Sequence, residues 1–295
     1  MVLPQFQAPP RFDAYVNALS LEGAVRALGD GRGVPVAGGT DLWVKKEQPG
    51  AVAGDRLVNV RNVPELGGIA AADGRVRLGA LVTMTDILEH DRLTQAAPIL
   101  ALAADRFASV QIRNAATLGG NLANASPAAD LAPPLLSLEA SVELVRWDGG
   151  VARRQVALDD FFTGPGQTVA TPDELLAAIT FRPPPAGHIA AFHKTGPRPA
   201  LEIARVSLAL VAGVADGRLV APRIACGAVA PTPVRCPETE AVLDGAALDD
   251  GTIGRTLAVL EGEISPIADT RASPWYRRHL ARTFLEQELR HVRDG

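Results

Sequence analysis

A proline-rich stretch, RPPPAGH at residues 182–188, divides the sequence into two parts with different patterns. Three consecutive prolines fit neither a helix interior nor a central strand, because proline lacks an amide N–H and fixes φ. Before this stretch, strand-like runs alternate with helical spacing. After it, period-two alternation around Asp216-Gly217 precedes two helical stripes. The sequence therefore predicts an α+β region over residues 1–182 and a domain of antiparallel sheet plus helices over residues 188–295.

Local signals locate several elements of the first part. Apolar residues recur at helical spacing from Leu21 to Leu28, after a Ser20 suited to cap a helix. Asp73-Gly74 lies between two strand-like runs and predicts a hairpin over residues 69–80. Residues 83–105 read as helical, with Pro98 in a first turn.

Composition excludes several classes of protein. The chain has 295 residues and a net charge of −4 without a basic tract, which argues against nucleic-acid binding. Its two cysteines lack the spacing of zinc or iron–sulfur sites and fit a reducing compartment, although a disulfide stays open. The start, MVLPQFQAPPRFDAY, has no features of a signal peptide, and no apolar run is long enough for a transmembrane helix. We therefore expect a cytoplasmic protein without a resident metal.

Two segments are rich in small residues: VAGGTD at residues 36–41 and TLGGNLANASPAAD at residues 117–130. Glycine allows the backbone to approach a ligand and to direct successive N–H groups toward a pyrophosphate. Nearby hydroxyls and amides add hydrogen bonds, and the carboxylate of Asp130 suits the hydroxyls of a sugar or ribityl chain. A glycine pair between strand and helix is usually only a turn. Neither segment has the GxGxxG or GxxxxGK[ST] pattern, which argues against a Rossmann fold or a P-loop. The two segments together indicate a large nucleotide cofactor that is bound mainly through its diphosphate.

Longer blocks resemble the FAD-binding (medium) subunit of the molybdenum hydroxylases, the xanthine dehydrogenase and carbon monoxide dehydrogenase family. The resemblance covers almost the whole chain, and the order and spacing of the blocks make it specific. It is carried by VAGGTDL (36–42), QIRNAATLGGNLANASPAADLAPPLLSLEA (111–140), FFTGPGQTVATPDELL (161–176), FHKTGPRPALEIARVSLAL (192–210), ACGAVAPTPVRC (225–236) and SPIADTRASPWYRRHLAR (265–282).

The resemblance implies a PCMH-type FAD-binding region of two lobes, dividing near residue 58, and a C-terminal domain of the carbon monoxide dehydrogenase flavoprotein type. By resemblance, two segments wrap the FAD diphosphate, other residues approach the ribityl or ribose group, and Leu176 and Lys194 lie near the isoalloxazine. Phe107 matches a position beside the adenine. The implied site consists of Val36, Ala37, Gly38, Gly39, Thr40, Asp41, Leu42, Phe107, Ala116, Thr117, Gly119, Gly120, Asn121, Asn124, Ser126, Asp130, Leu176 and Lys194.

Some relatives attach flavin through a histidine in the first glycine loop. This chain has none there, so we expect non-covalent FAD. Valine at Gly119 and Gly120 is expected to collide with the diphosphate and to abolish FAD binding.

By resemblance, the chain is the electron-exit subunit of a complex that is a dimer of heterotrimers. A large subunit carries the molybdenum cofactor, and a small subunit carries two [2Fe–2S] clusters. FAD on this chain passes their electrons to NAD+, a quinone or oxygen. Two alternatives stay open: a stand-alone flavin-dependent reductase of the same fold, and a non-catalytic flavin-binding assembly protein.

Overall fold

The computed structural model describes residues 12–45, 54–198 and 201–294, so most of the N-terminal stretch that lacks signal-peptide features lies outside the described residues. The helices are α1 (Leu21–Leu28), α2 (Leu42–Lys45), α3 (Met84–Glu89), α4 (Asp91–Ala96), α5 (Pro98–Asp105), α6 (Val110–Arg113), α7 (Leu118–Ala123), α8 (Ala132–Ser137), α9 (Leu158–Phe161), α10 (Pro237–Leu243), α11 (Asp250–Glu263) and α12 (Pro274–Asp294). The strands are β1 (Ala14–Asn17), β2 (Gly33–Val36), β3 (Arg56–Asn59), β4 (Ile69–Ala72), β5 (Arg75–Gly79), β6 (Ser141–Trp147), β7 (Val151–Ala157), β8 (Phe162–Gly164), β9 (Gln167–Thr168), β10 (Leu175–Phe181), β11 (Ile189–Thr195), β12 (Val206–Ala215), β13 (Arg218–Gly227) and β14 (Val234–Arg235).

The N-terminal sheet is parallel, with strand order β1-β3-β2. Helix α1 starts where predicted, because the Ser20 hydroxyl accepts a hydrogen bond from the Gly23 N–H at 3.1 Å. Its buried face packs on Val58 of this sheet and on Val145 of the next. Strand β3 pairs with both neighbours and ends at Asn59, so this sheet ends close to residue 58, where the division between the two lobes is expected.

The second sheet is antiparallel, with strand order β4-β5-β10-β6-β7. The predicted hairpin is present: Asp73 and Gly74 both have positive φ, 52° and 69°, as a tight two-residue turn requires. Helices α3, α5, α7 and α8 contribute buried side chains to the core on this sheet.

The C-terminal sheet has the order β11-β12-β13-β14 and is covered on both faces. Helices α10, α11 and α12 pack on one face. Helices α5 and α8 of the preceding region pack on the other, and every residue of α8 is buried. The loop that precedes α8 therefore lies where the two regions meet.

The fold class predicted from the sequence is confirmed: an α+β region precedes an antiparallel sheet with helices. Cys226 and Cys236 are buried free thiols, so the disulfide left open by the sequence is not formed. Within the described residues, no helix combines the length and apolar character needed to cross a bilayer.

Candidate functional site

The first glycine segment is a loop between β2 and α2. Gly39 has a φ of 68°, a left-handed conformation that glycine adopts without steric penalty. Within the described part of the chain, the backbone N–H groups of Gly38, Gly39 and Thr40 donate no hydrogen bond. All three residues are only half-buried. Adjacent N–H donors around a left-handed residue form a concave anion site, which suits a phosphate group.

Trp43, which the sequence did not single out, lies against this loop. A Cβ on Gly39 would stand 2.5 Å from the indole nitrogen of Trp43. The indole also makes an edge contact with Phe12, with 6.4 Å between ring centroids. The sequence feature that could have revealed this contact is the position of Trp43 directly after GGTDL, because it lies one helical turn after Gly39. Gly39 is therefore required both for its φ and for the space that the indole occupies.

The second glycine segment is the first turn of helix α7. The Thr117 hydroxyl accepts a hydrogen bond from the Gly120 N–H at 3.1 Å, and the Gly119 N–H donates to the Ala80 carbonyl at 2.9 Å. The Asn121 N–H donates to the Thr117 carbonyl at 2.9 Å. These amides already have partners within the chain. The expectation that they are free for a pyrophosphate is therefore wrong for this segment.

The two glycines of the second segment face opposite ways. A Cβ on Gly119 would lie 2.6 Å from the Cβ of Ala80, so Gly119 allows α7 to pack on the end of β5. Gly120 is exposed, and only the Thr117 hydroxyl, at 3.0 Å, would approach a Cβ there. At Gly119, valine would therefore collide with the protein itself. At Gly120, the expected collision of valine with a diphosphate stays a prediction.

The structure brings the two glycine segments into contact. A Cβ on Gly38 would overlap the carbonyl oxygen of Ala115 and would lie 3.2 Å from the Ala116 nitrogen. Ala116 and Thr117 are buried at this junction. A single ligand that contacts both segments therefore meets them side by side, although they are some eighty residues apart in sequence.

Asp130 and Lys194 form a buried ion pair between the two regions of the chain. The Lys194 Nζ donates to Asp130 Oδ2 at 2.7 Å and to the Arg106 carbonyl at 3.0 Å. The lysine side chain is 0% exposed and that of Asp130 is 9% exposed. The sequence assigned these residues to different parts of a cofactor, whereas the structure pairs them directly. Because β11 belongs to the C-terminal sheet, the pair joins both regions at one site.

Burial sets the charge state of Asp130. It raises the pKa of this carboxyl to about 6, since removal from water disfavours the charged form. The Lys194 ammonium opposes the rise, and Glu202 adds to it. The second carboxyl oxygen, Oδ1, is buried without a partner among the described residues, as is Oδ1 of Asn121. Buried acceptors without donors are uncommon, and both suit the hydroxyl or N–H groups of a ligand.

The remaining predicted residues surround these contacts. Asn124 caps α7 through its backbone, and the Ser126 hydroxyl accepts from the Ala128 N–H at 3.2 Å. Phe107 is half-buried against the central core, next to the carbonyl that receives Lys194. Leu176 is buried in the same core, beside a bulge in β10.

Comparisons with known proteins place this arrangement in a family. Residues 5–184 match the family model described as the FAD binding domain in molybdopterin dehydrogenase. Residues 191–292 match the C-terminal domain of the carbon monoxide dehydrogenase flavoprotein. The xanthine dehydrogenase FAD-binding subunit of Escherichia coli O157:H7 is 34% identical, over 94% of this chain and 95% of that protein. The carbon monoxide dehydrogenase medium chain of Afipia carboxidovorans is 32% identical, over 86% of this chain and 87% of that protein.

This chain also matches solved structures of related enzymes over nearly its whole length. A crystal structure of the Cu,Mo-CO dehydrogenase contains a chain that matches with a TM-score of 0.89 and 31% identity, over 95% of this chain and 97% of that one. Quinoline 2-oxidoreductase from Pseudomonas putida 86 matches with a TM-score of 0.88 and 28% identity, over 98% and 99% of the two chains. The match in fold extends through both regions.

Proposed function

We propose an electron-transfer function for this chain, which belongs to the family of FAD-binding subunits of molybdopterin dehydrogenases. It is the FAD-binding oxidoreductase subunit of the xanthine and carbon monoxide dehydrogenase type. In our proposal it accepts electrons from the [2Fe–2S] clusters of a small subunit and delivers them to NAD+, a quinone or oxygen. A large subunit supplies the molybdenum cofactor, and the complex is a dimer of such heterotrimers.

The observation that carries the proposal is the set of free donors in the first glycine loop. The N–H groups of Gly38, Gly39 and Thr40 have no partner within the described residues and surround a left-handed glycine. Oxyanions of a diphosphate are the ligands such a cradle favours. The orphaned oxygens of Asp130 and Asn121 supply acceptors for hydroxyl or N–H groups of the same cofactor. The residues present therefore fit a dinucleotide such as FAD.

In the proposed site, each residue has a distinct task. The segment 36–42 binds the diphosphate through backbone N–H groups, and the side chains of Thr117, Asn121, Asn124 and Ser126 add polar contacts. Gly120 and Ala116 leave room. Asp130 accepts a hydrogen bond from the ribityl or ribose group through Oδ1. Lys194, whose ammonium is held by Asp130 Oδ2, places a positive charge near the isoalloxazine ring, where Leu176 also lies. Phe107 lies against the adenine.

Bound FAD would exchange electrons singly with iron–sulfur clusters and in pairs with an external acceptor. The chain's own contribution is to hold the cofactor without a covalent bond and to set the charge around it. Lys194 is the main buried positive charge at the site, and its ion pair with Asp130 fixes the position of its ammonium. A fixed positive charge near the ring would favour the anionic form of the reduced flavin.

We also propose a domain division at residues 182–188, with an FAD-binding domain of two lobes over 1–182 and a C-terminal domain over 188–295. The ranges of the two family matches, 5–184 and 191–292, support it. We also propose a cytoplasmic location, because the two free thiols fit a reducing compartment.

The test uses the complex purified through a tag on this chain, in its natural form and with Gly120→Val. Purines, aldehydes, carbon monoxide and N-heterocycles are offered in turn, and bleaching of the iron–sulfur absorbance identifies the substrate. We expect the natural complex to reduce NAD+, a quinone or oxygen. The variant complex should still bleach its clusters but should pass few electrons to that acceptor. Equal rates of acceptor reduction without bound flavin would contradict the proposal.

A further inference from the structure

The first turn of helix α12 carries an arginine whose charge is buried. The Arg277 side chain is 4% exposed, and its guanidinium donates three hydrogen bonds. Burying a charge is costly unless it is paired and hydrogen-bonded. The three hydrogen bonds involve Nη1 and Nη2, whereas Nε is buried without a partner among the described residues. We propose that Arg277 is a positioning residue of the FAD site, which fixes the backbone of the two segments that present Asp130 and Lys194. This inference rests on the proposed function.

The first connection leads to Asp130. Arg277 Nη1 donates to the Ala228 carbonyl at 2.8 Å. The Ala228 N–H in turn donates to the Pro127 carbonyl at 2.7 Å. Pro127 lies in the loop that runs from Ser126 to Asp130. Ala228 has a φ of 59°, which is uncommon for a residue with a side chain, so external contacts must maintain it. Arg277 therefore stabilises the peptide that supports the Asp130 loop.

The second connection leads to Lys194. The same Nη1 donates to the Arg205 carbonyl at 2.6 Å. The Arg205 N–H donates to the Thr195 carbonyl at 2.7 Å, and Thr195 directly follows Lys194 at the end of β11. One guanidinium nitrogen thus contacts both backbone routes to the buried pair. Movement of Arg277 would shift Asp130 and Lys194 relative to each other.

Asp269 fixes the orientation of the guanidinium. Its Oδ1 accepts from Arg277 Nη2 at 2.7 Å and from the N–H groups of Arg271 and Ala272 at 2.9 and 3.1 Å. Burial works against the charged carboxylate. The two backbone N–H groups and Arg277 nevertheless hold the pKa of Asp269 below its ordinary value. Both members of this pair lie in the segment SPIADTRASPWYRRHLAR, residues 265–282.

The experiment compares full-length chains in their native complex, carrying Arg277→Gln, Arg277→Lys or Asp269→Asn. Arg290→Gln serves as the matched control, because Arg290 lies on the same helix in an exposed pair with Glu286. FAD is removed and then titrated back while flavin fluorescence is followed. The visible circular dichroism of the FAD-loaded complex minus that of the FAD-free complex removes the iron–sulfur contribution. This difference reports the surroundings of the flavin ring, which loss of stability alone does not change.

We expect Arg277→Gln to weaken FAD affinity at least about tenfold, about 1.4 kcal/mol, and to alter the visible dichroism of the flavin that stays bound. Arg277→Lys should restore part of both, since one ammonium can still reach a carbonyl. Arg290→Gln should change neither. If Arg277→Gln does not fold, Asp269→Asn decides by the same two readouts, with a smaller loss.

Two results would overturn the inference, and they are distinguishable. If the natural chain takes up no FAD, the proposed function fails and the positioning role fails with it. If the natural chain binds FAD and the variants lose only thermal stability, with unchanged affinity per folded molecule and unchanged dichroism, then Arg277 is a packing residue and the proposed function stands.

Discussion

The two glycine segments have nearly the same composition but opposite use of their backbone. In residues 36–42 the glycines lie in an open loop, Gly39 is left-handed, and three consecutive N–H groups have no partner within the described residues. In residues 116–121 the glycines open a capped helix, and the amides of Gly119 and Gly120 are already bonded. In the proposed site the first segment therefore supplies donors to the ligand, whereas the second supplies space.

The difference shows that a glycine pair has to be read one residue at a time. Gly38 and Gly119 each allow two backbone segments to approach closely, Gly38 against Ala115 and Gly119 against Ala80. Gly39 provides a conformation, and Gly120 provides an open surface. Substitutions at these positions should therefore separate folding from cofactor binding.

The largest effect is expected for Gly119→Val. Because its side chain would overlap Ala80, the chain should lose about 3 kcal/mol of unfolding free energy, the upper end for overpacking, and should lose flavin as a consequence. Urea unfolding of the FAD-free chain measures this. Gly254→Val is the control, since Gly254 lies on an exposed part of α11 with open space around it. Normal stability of Gly119→Val would show that the segment does not pack as described.

Gly120→Val should separate binding from stability. The site is open apart from the Thr117 hydroxyl, so the unfolding free energy should stay within about 1 kcal/mol of the natural chain. FAD affinity should fall at least about a hundredfold, about 2.8 kcal/mol, because valine would occupy the space proposed for the diphosphate. A fluorescence titration measures it. Full affinity with valine in place would move the cofactor away from this segment.

Gly39→Ala tests the loop that supplies donors. A left-handed alanine costs about 1–2 kcal/mol, and relaxation of the loop would misdirect its N–H groups, so FAD affinity should fall about tenfold. Gly149→Ala imposes the same left-handed strain, at a φ of 69°, but lacks the contact with Trp43 that a Cβ at Gly39 would make. It should lower stability alone. If both variants bound FAD equally well, the donors of the first loop would not be part of the site.

The smallest effect is a change of pH dependence in Asp130→Asn. The pKa of Asp130 is raised from its ordinary 3.8 to about 6, so the folded chain keeps a proton that the unfolded chain has lost. The contribution of this group to stability should therefore fall as pH rises from about 4 to about 6, and the variant should lack that component. Urea unfolding at several pH values checks the difference between the two proteins.

Asp250→Asn gives the opposite sign and serves as the control. Hydrogen bonds from Arg293 and Arg290 lower the pKa of Asp250 from its ordinary 3.8. The contribution of Asp250 to stability is therefore lost as pH falls below about 3.8, rather than as pH rises. If Asp130→Asn showed the same direction as Asp250→Asn, burial would not dominate the environment of Asp130.

Much of the fold could be predicted from local signals. Ser20 caps α1 as expected, Asp73-Gly74 forms the hairpin turn, and the order of sheet and helices after residue 188 follows the change in periodicity. The first glycine segment was correctly predicted to lie between a strand and a helix, whereas the second opens helix α7, which the sequence did not predict. These features depend on interactions between residues close in sequence, which spacing and residue type reveal.

The details of the site depend on contacts between distant residues. Asp130 and Lys194 are 64 residues apart, and no local pattern indicates that they pair. The amide of Gly119 finds its partner only once α7 packs near Ala80. Strand β11, which presents Lys194, has no strong period-two alternation in sequence. Arg277 reads as one of several arginines in a basic helix until its carbonyl partners are known.

The proposed function depends above all on this chain carrying FAD as one member of a molybdenum-dependent complex. The most direct test is an absorption spectrum with mass spectrometry on material purified through a tag on this chain. We predict flavin bands that acid releases as FAD, iron–sulfur absorbance and two co-purifying chains. A colourless chain that takes up no added FAD would contradict the account, and so would a yellow single chain that oxidises NADH or NADPH by itself.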